Sequence, residues 1–139
     1  MTPHIRHSAA FVIVAMVASV GCGAGFTDKA NSTLATSLAA TNAARDQFVA
    51  WDKAHQKELV DQAATRDAAE GALKSYRAKR GPVLKAFTAV YTAIATAAAA
   101  IPLVDKGIKH ETDLVPLLSD VAAAALVVKE AYGAITKGP

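Results

Sequence analysis

Alanine constrains this chain more than any other residue. It occupies 33 of the 139 positions, whereas aromatic residues make up only 6%. Alanine has the highest helix propensity and is depleted in strands, so this abundance predicts an all-α protein and excludes an all-β domain. A hydrophobic share of 53% with 19% charged residues excludes a disordered chain. A single cysteine excludes a disulfide scaffold.

The first 25 residues have the layout of an export signal. Residues 1–7 contain Arg6, residues 8–20 are uncharged and mostly apolar, and small residues follow to position 25. This order is typical of a secretory signal peptide. The apolar stretch would span about 20 Å as a helix, less than the ~30 Å hydrocarbon core of a bilayer. We therefore predict that residues 1–21 are a cleaved signal peptide rather than a permanent transmembrane anchor.

The end of this signal resembles the lipobox of bacterial lipoproteins. Residues 18–22 read Ala-Ser-Val-Gly-Cys, with a small residue directly before Cys22. The resemblance implies that cleavage makes Cys22 the N-terminus and that acyl chains such as palmitate are attached to it. Because Gly23 stands where an aspartate often marks retention in the inner membrane, the resemblance also favours the periplasmic face of the outer membrane in a Gram-negative cell. The alternative is an ordinary signal cut after Ala24, which would discard Cys22.

The mature chain is predicted to contain helices at about 45–79, 82–101 and 113–136. Gly81-Pro82 is expected to end the first helix and begin the second, because glycine suits the position after a helix and proline its first turn. Pro102 should kink or stop the second helix, and residues 105–111 should form a connector. Thr112 or Asp113 should cap the third helix. The predicted apolar face of the second helix comprises Val83, Leu84, Phe87, Val90, Tyr91, Ile94, Ala98 and Ile101.

Residues 22–44 leave two interpretations open. They are either a tether or the start of one long helix, since their threonines and serines oppose helix while their alanines favour it. A helix running to residue 79 would be too long for two shorter helices to cover, so a break near Thr41-Asn42 is a further possibility. The sequence thus predicts an antiparallel three- or four-helix bundle with a long N-terminal helix, and a helical domain over 45–139.

The chain lacks the residue patterns that catalysis or metal binding needs. No nucleophile motif or phosphate-binding loop is present in the sequence. His110, Glu111 and Asp113 lie close together but lack the spacing that would aim them at one zinc ion. We therefore expect a protein that is not an enzyme and that needs no cofactor or metal.

Two features are candidate contact surfaces. Phe48 and Trp51 lie three residues apart, either as core anchors or, if exposed, as an interface hot spot. A basic cluster surrounds Gly81-Pro82 with no acidic residue from 71 to 104, and it could meet anionic lipid or cell-wall carboxylates. The same charges could simply complement a helix C-terminus. The cluster comprises Lys74, Arg77, Lys79, Arg80 and Lys85.

These observations predict a non-catalytic, lipid-anchored envelope protein that acts as a scaffold, adaptor or binding module. Without residues 1–21 the chain carries 14 basic and 12 acidic residues, which gives no electrostatic case for nucleic acid. Its expected partners are the membrane through Cys22, an envelope protein, or an anionic lipid or cell-wall component, and it could form oligomers. The alternatives are a membrane-active protein that inserts helices 83–104 and 114–135, and a small inhibitor or immunity-type protein.

Overall fold

The computed structural model describes residues 25–136, which form three α-helices joined by two short connections. Helix α1 covers Phe26–Asp61, α2 covers Arg66–Asp105 and α3 covers Glu111–Thr136. Each helix runs antiparallel to the one before it. The predicted all-α antiparallel bundle with a long N-terminal helix is confirmed, in its three-helix form.

The first connection lies at residues 62–65, where the sequence analysis placed no break. Thr65 ends the connection as the N-cap of α2, and its hydroxyl accepts a hydrogen bond from the backbone N–H of Ala68 at 3.2 Å. Asp67 adds a negative charge to the first turn, where the helix dipole favours it. The predicted helix at 45–79 is therefore wrong, since it joins parts of two helices that run in opposite directions.

Gly81-Pro82 lies inside α2 and does not separate two helices. Pro82 lacks the N–H that would bond the carbonyl of residue 78, so the prediction of a helix end had a sound local reason. Contacts with α1 on both sides of Gly81-Pro82 keep α2 continuous despite this missing hydrogen bond. Before it, Arg80 pairs with Asp52, and after it, Phe87 packs on Phe48 with ring centroids 5.8 Å apart.

Helix α1 is continuous from residue 26, so the tether and the break near Thr41-Asn42 are both wrong. The hydroxyl of Thr41 is buried and donates to the carbonyl of Ser37 at 2.7 Å, which satisfies it within the helix. The side-chain oxygen of Asn42 accepts a hydrogen bond from the Tyr91 hydroxyl of α2 at 2.7 Å. Thr41 and Asn42 are thus both hydrogen-bonded within a continuous α1, although both residue types oppose helix in isolation.

Two further boundaries differ from the prediction. Helix α2 continues past Pro102 to Asp105, and α3 begins at Glu111 rather than 113. Asp113 still contributes at the start of α3, because its carboxylate accepts a hydrogen bond from the backbone N–H of His110 at 2.9 Å. Pro116 accordingly lies in the second turn of α3.

The core has two parts along the bundle. The larger part lies where the start of α1, the end of α2 and the start of α3 meet, around Phe26, Ile101 and Leu114. The smaller part centres on Phe48, Val83 and Phe87, with Tyr132 of α3 against it. Helix α1, at 36 residues, is about 54 Å long and α3, at 26 residues, about 39 Å. The α1–α2 hairpin therefore extends beyond the end of α3.

Candidate functional site

A buried carboxylate joins α1 and α2 close to the end of α3. Asp52 is 3% exposed, and its two oxygens have separate partners. One accepts a hydrogen bond from the Tyr76 hydroxyl at 2.6 Å, and the other lies 2.9 Å from Nη2 of Arg80. Burial, followed by the hydrogen bond to Asp52, raises the pKa of the Tyr76 hydroxyl well above its ordinary value. This arrangement fixes the position of the Arg80 side chain, which is one-third exposed.

Aromatic rings surround this network. The indole of Trp51 stacks on the imidazole of His55 with centroids 4.9 Å apart, and the Tyr76 ring meets His55 edge-on at the same distance. Tyr132 of α3 packs edge-on against both Phe48 and Trp51, at 5.7 and 5.8 Å. Burial raises the pKa of the Tyr132 hydroxyl as well. The cluster joins all three helices where α3 ends.

A groove of about 440 Å³ runs between α1 and α2 beside this cluster. Its volume lies within the range of roughly 300–1,000 Å³ that is usual for small-molecule sites. Two arginines and two phenylalanines, one of each from either helix, are among its lining residues. We call it the groove and define it by its eight lining residues: Arg45, Phe48, Val49, Arg80, Leu84, Phe87, Thr88 and Tyr91.

The groove lining contains cations but no carboxylate. Arg45 is exposed and makes no ion pair with any residue in the described range 25–136. Arg80 is bonded to Asp52 through Nη2, while its Nε is buried without a partner. A guanidinium offers five N–H donors, so both arginines keep unused donor capacity. An anion is therefore the ligand that the charges of the groove favour.

The predicted contact residues do not form one surface. Phe48 is 1% exposed and is a core anchor, while Trp51 is half-buried beside it. Only Arg80 of the basic cluster turns inward to the network of Asp52. The other four cations are exposed on α2 and do not line the groove: Lys74, Arg77, Lys79 and Lys85.

Three residues that define this region were not predicted from the sequence. Asp52 is a charged residue in a polar stretch of the sequence, although it follows Phe48 by four residues and so shares its face. Arg45 also went unnoticed, because only the helix pairing brings it near Arg80. Leu84 was assigned to the buried face but is 40% exposed at the groove.

Cys22, the predicted lipid attachment residue, lies outside the described residues. Within residues 25–136, no group of three or more His, Cys, Asp or Glu side chains could hold a metal ion.

One helix in that range, Arg66–Asp105, is long and apolar enough to cross a membrane by length and composition. Of the most apolar stretch of this helix, 33% is buried within the bundle. Comparison with protein-family models, curated proteins and solved structures finds no match to this chain.

Proposed function

We propose that this protein is a non-catalytic, lipid-anchored binding module of the bacterial envelope. The observation that carries the proposal is the position of α1 relative to the lipobox-like segment. Cys22 precedes the first residue of α1, Phe26, by only four positions. An acylated Cys22 would therefore hold the base of the bundle close to the membrane, and we expect the periplasmic face of the outer membrane in a Gram-negative cell.

Because α1 is continuous, its length sets how far the module extends from the membrane. The helix is about 54 Å long and ends at the 62–65 connection. The opposite end of the bundle is formed by the start of α1 and by the α2–α3 connection at residues 106–110. The proposal thus separates a membrane end from a distal hairpin end that can meet an envelope protein or a cell-wall component.

Site-specific photo-crosslinking in cells tests this orientation. Val60 and Ile108 are exposed aliphatic residues near opposite ends of the bundle, 47% and 68% exposed. A photoreactive amino acid at position 108 should crosslink to lipid, whereas the same amino acid at position 60 should not. Equal lipid crosslinking from both positions would contradict the proposed orientation.

Fractionation tests the anchor itself. The Cys22→Ala variant should move from the membrane fraction to the soluble fraction, because one missing thiol removes every acyl chain. Ala24→Ser is the matched control and should stay with the membrane. Persistence of Cys22→Ala in the membrane after alkaline carbonate extraction would instead support the membrane-active alternative.

A further inference from the structure

We propose that the groove binds a single-chain amphiphile with a carboxylate head group, that is, a free long-chain fatty acid. This inference rests on the groove residues alone and does not require a lipid on Cys22. It concerns a ligand held by the folded bundle, whereas the proposed anchor would be attached covalently before residue 26.

The head group is inferred from the two arginines. Arg45 and Arg80 reach the groove from different helices, and no lining residue is acidic. Asp52 neutralises part of the charge on Arg80, but it also holds that guanidinium in place. Arg45 has no such partner in the described chain, so an incoming carboxylate would meet one fixed and one adjustable guanidinium. Arginine binds carboxylates through paired N–H donors.

Further positive charge lies along the same side of α2. Arg77 is exposed and precedes Leu84 by seven residues, which is close to two helical turns. It therefore lies on the side of α2 that faces the groove, and no acidic residue occurs in α2 between Glu70 and Asp105. The charges that α2 contributes on this side of the hairpin are therefore positive, which favours the approach of an anion to that helix.

The alkyl chain of the ligand is inferred from the apolar residues that line the groove. Phe48 and Phe87 are buried at the groove, while Val49 and Leu84 are 37% and 40% exposed beside it. Exposed aliphatic side chains next to buried rings leave apolar surface in contact with water. An alkyl chain would cover that surface, which favours binding in proportion to the area removed from water.

The hydroxyl groups of the groove argue against a peptide ligand. The Thr88 hydroxyl donates to the carbonyl of Leu84 at 3.1 Å, and the Tyr91 hydroxyl donates to the side-chain oxygen of Asn42 at 2.7 Å. The donors left for a ligand are therefore those of the arginines. A peptide bound in extended form needs several backbone hydrogen bonds along its length, whereas a fatty acid needs only the head-group contacts.

Calorimetric titration with laurate, below its micellar concentration, tests the proposal. The full chain is used, with Cys22→Ala in every protein compared so that no attached acyl chain competes. We expect saturable one-to-one binding. Butyrate has the same head group with a short chain, and dodecyltrimethylammonium has the same chain with a positive head group. Both should bind at least tenfold more weakly than laurate.

Matched variants then test the head-group contact. Arg45→Gln removes an exposed cation of the groove and should weaken laurate binding about tenfold, as expected for the loss of a charge-assisted hydrogen bond. Lys85→Gln removes the same charge one residue from Leu84, outside the groove, and should change affinity less than twofold. Leu84→Asn should reduce the difference in binding affinity between laurate and butyrate, because it removes apolar surface that the longer alkyl chain would cover.

Several results would overturn the inference. They are the absence of saturable laurate binding, equal affinity for dodecyltrimethylammonium, and equal effects of Arg45→Gln and Lys85→Gln. Binding to phosphatidylglycerol vesicles that laurate does not compete with would also overturn it, because the surface would then recognise a membrane rather than a free fatty acid. None of these outcomes depends on whether Cys22 carries a lipid.

Discussion

Removal of the buried Asp52 carboxylate should strongly destabilise the bundle. The Tyr76 hydroxyl donates to this charged acceptor at 2.6 Å, and hydrogen bonds to charged groups contribute about 1.5–3 kcal/mol. The ion pair with Arg80 adds at most about 1 kcal/mol, because the arginine side chain is one-third exposed and can be hydrated once its partner is gone. Alanine recovers about 0.5 kcal/mol through its helix propensity. We therefore expect Asp52→Ala to lower the free energy of unfolding by about 1–3.5 kcal/mol.

Urea denaturation monitored by far-UV circular dichroism measures this loss. Asp46→Ala is the matched control, since Asp46 is exposed on the same helix and its removal should change stability by no more than about 0.5 kcal/mol. Tyr76→Phe, alone and combined with Asp52→Ala, completes a double-mutant cycle. We expect a coupling energy of about 1–2 kcal/mol, because neither partner can keep the hydrogen bond without the other. The reasoning would be refuted if Asp52→Ala and Asp46→Ala lowered the free energy of unfolding equally. It would also be refuted if the effects of Asp52→Ala and Tyr76→Phe on that free energy were additive.

Four further predictions concern the helices and the pH dependence of stability. Gly71→Ala should stabilise the protein by about 0.5–1 kcal/mol in urea denaturation, because position 71 is exposed inside α2 and a Cβ there meets nothing within 4 Å; a loss of stability would contradict a continuous helix at that position. Gly107→Ala should destabilise the protein by about 1 kcal/mol, because its φ of +68° disfavours a side chain; an unchanged urea midpoint would contradict the left-handed conformation at position 107. Thr65→Ala should cost about 1 kcal/mol by removing the N-cap of α2, and an unchanged urea midpoint would contradict the observed connection. Since the folded state raises the pKa of Tyr76, the unfolded chain loses that proton first, so the free energy of unfolding should fall as the pH rises above about 10. Tyr76→Phe should flatten this fall by up to about 1.4 kcal/mol per pH unit, and an unchanged slope would contradict the buried, bonded hydroxyl.

Much of the fold was predictable because helix propensity and apolar spacing act locally. The alanine content predicted an all-α chain, and the spacing of Val83, Phe87, Val90, Ile94 and Ile101 correctly predicted the buried face of α2. The prediction was wrong for Leu84 and Ala98, which are both exposed, because an apolar residue at the edge of a helical stripe can lie outside the core. Only the pairing of the helices decides which edge is covered.

The connections were predicted less well because tertiary contacts overrode local signals. Gly81-Pro82 is a strong local helix breaker, yet Asp52 and Phe48 of α1 hold α2 on both sides of it. Thr65 followed by Asp67 is a weaker N-cap signal, yet it marks the true start of α2. Two competing signals of this kind cannot be ranked without knowing which residues meet across the hairpin.

The groove could not be predicted for the same reason. Arg45 and Arg80 are 35 positions apart in the sequence, and neither forms part of a recognisable motif with the other. The predicted contact surface emphasised local charge density around residues 74–85. Of those cations only Arg80 lines the groove, because its ion pair with Asp52 holds it at the interface between α1 and α2.

Intact mass spectrometry of the protein purified from its native membranes tests the central functional claim most directly. The proposed envelope anchor predicts a mature chain that begins at Cys22 and carries covalent acyl chains, with the added mass lost in Cys22→Ala. An unmodified N-terminus downstream of Cys22, or a chain that retains residues 1–21, would contradict the account.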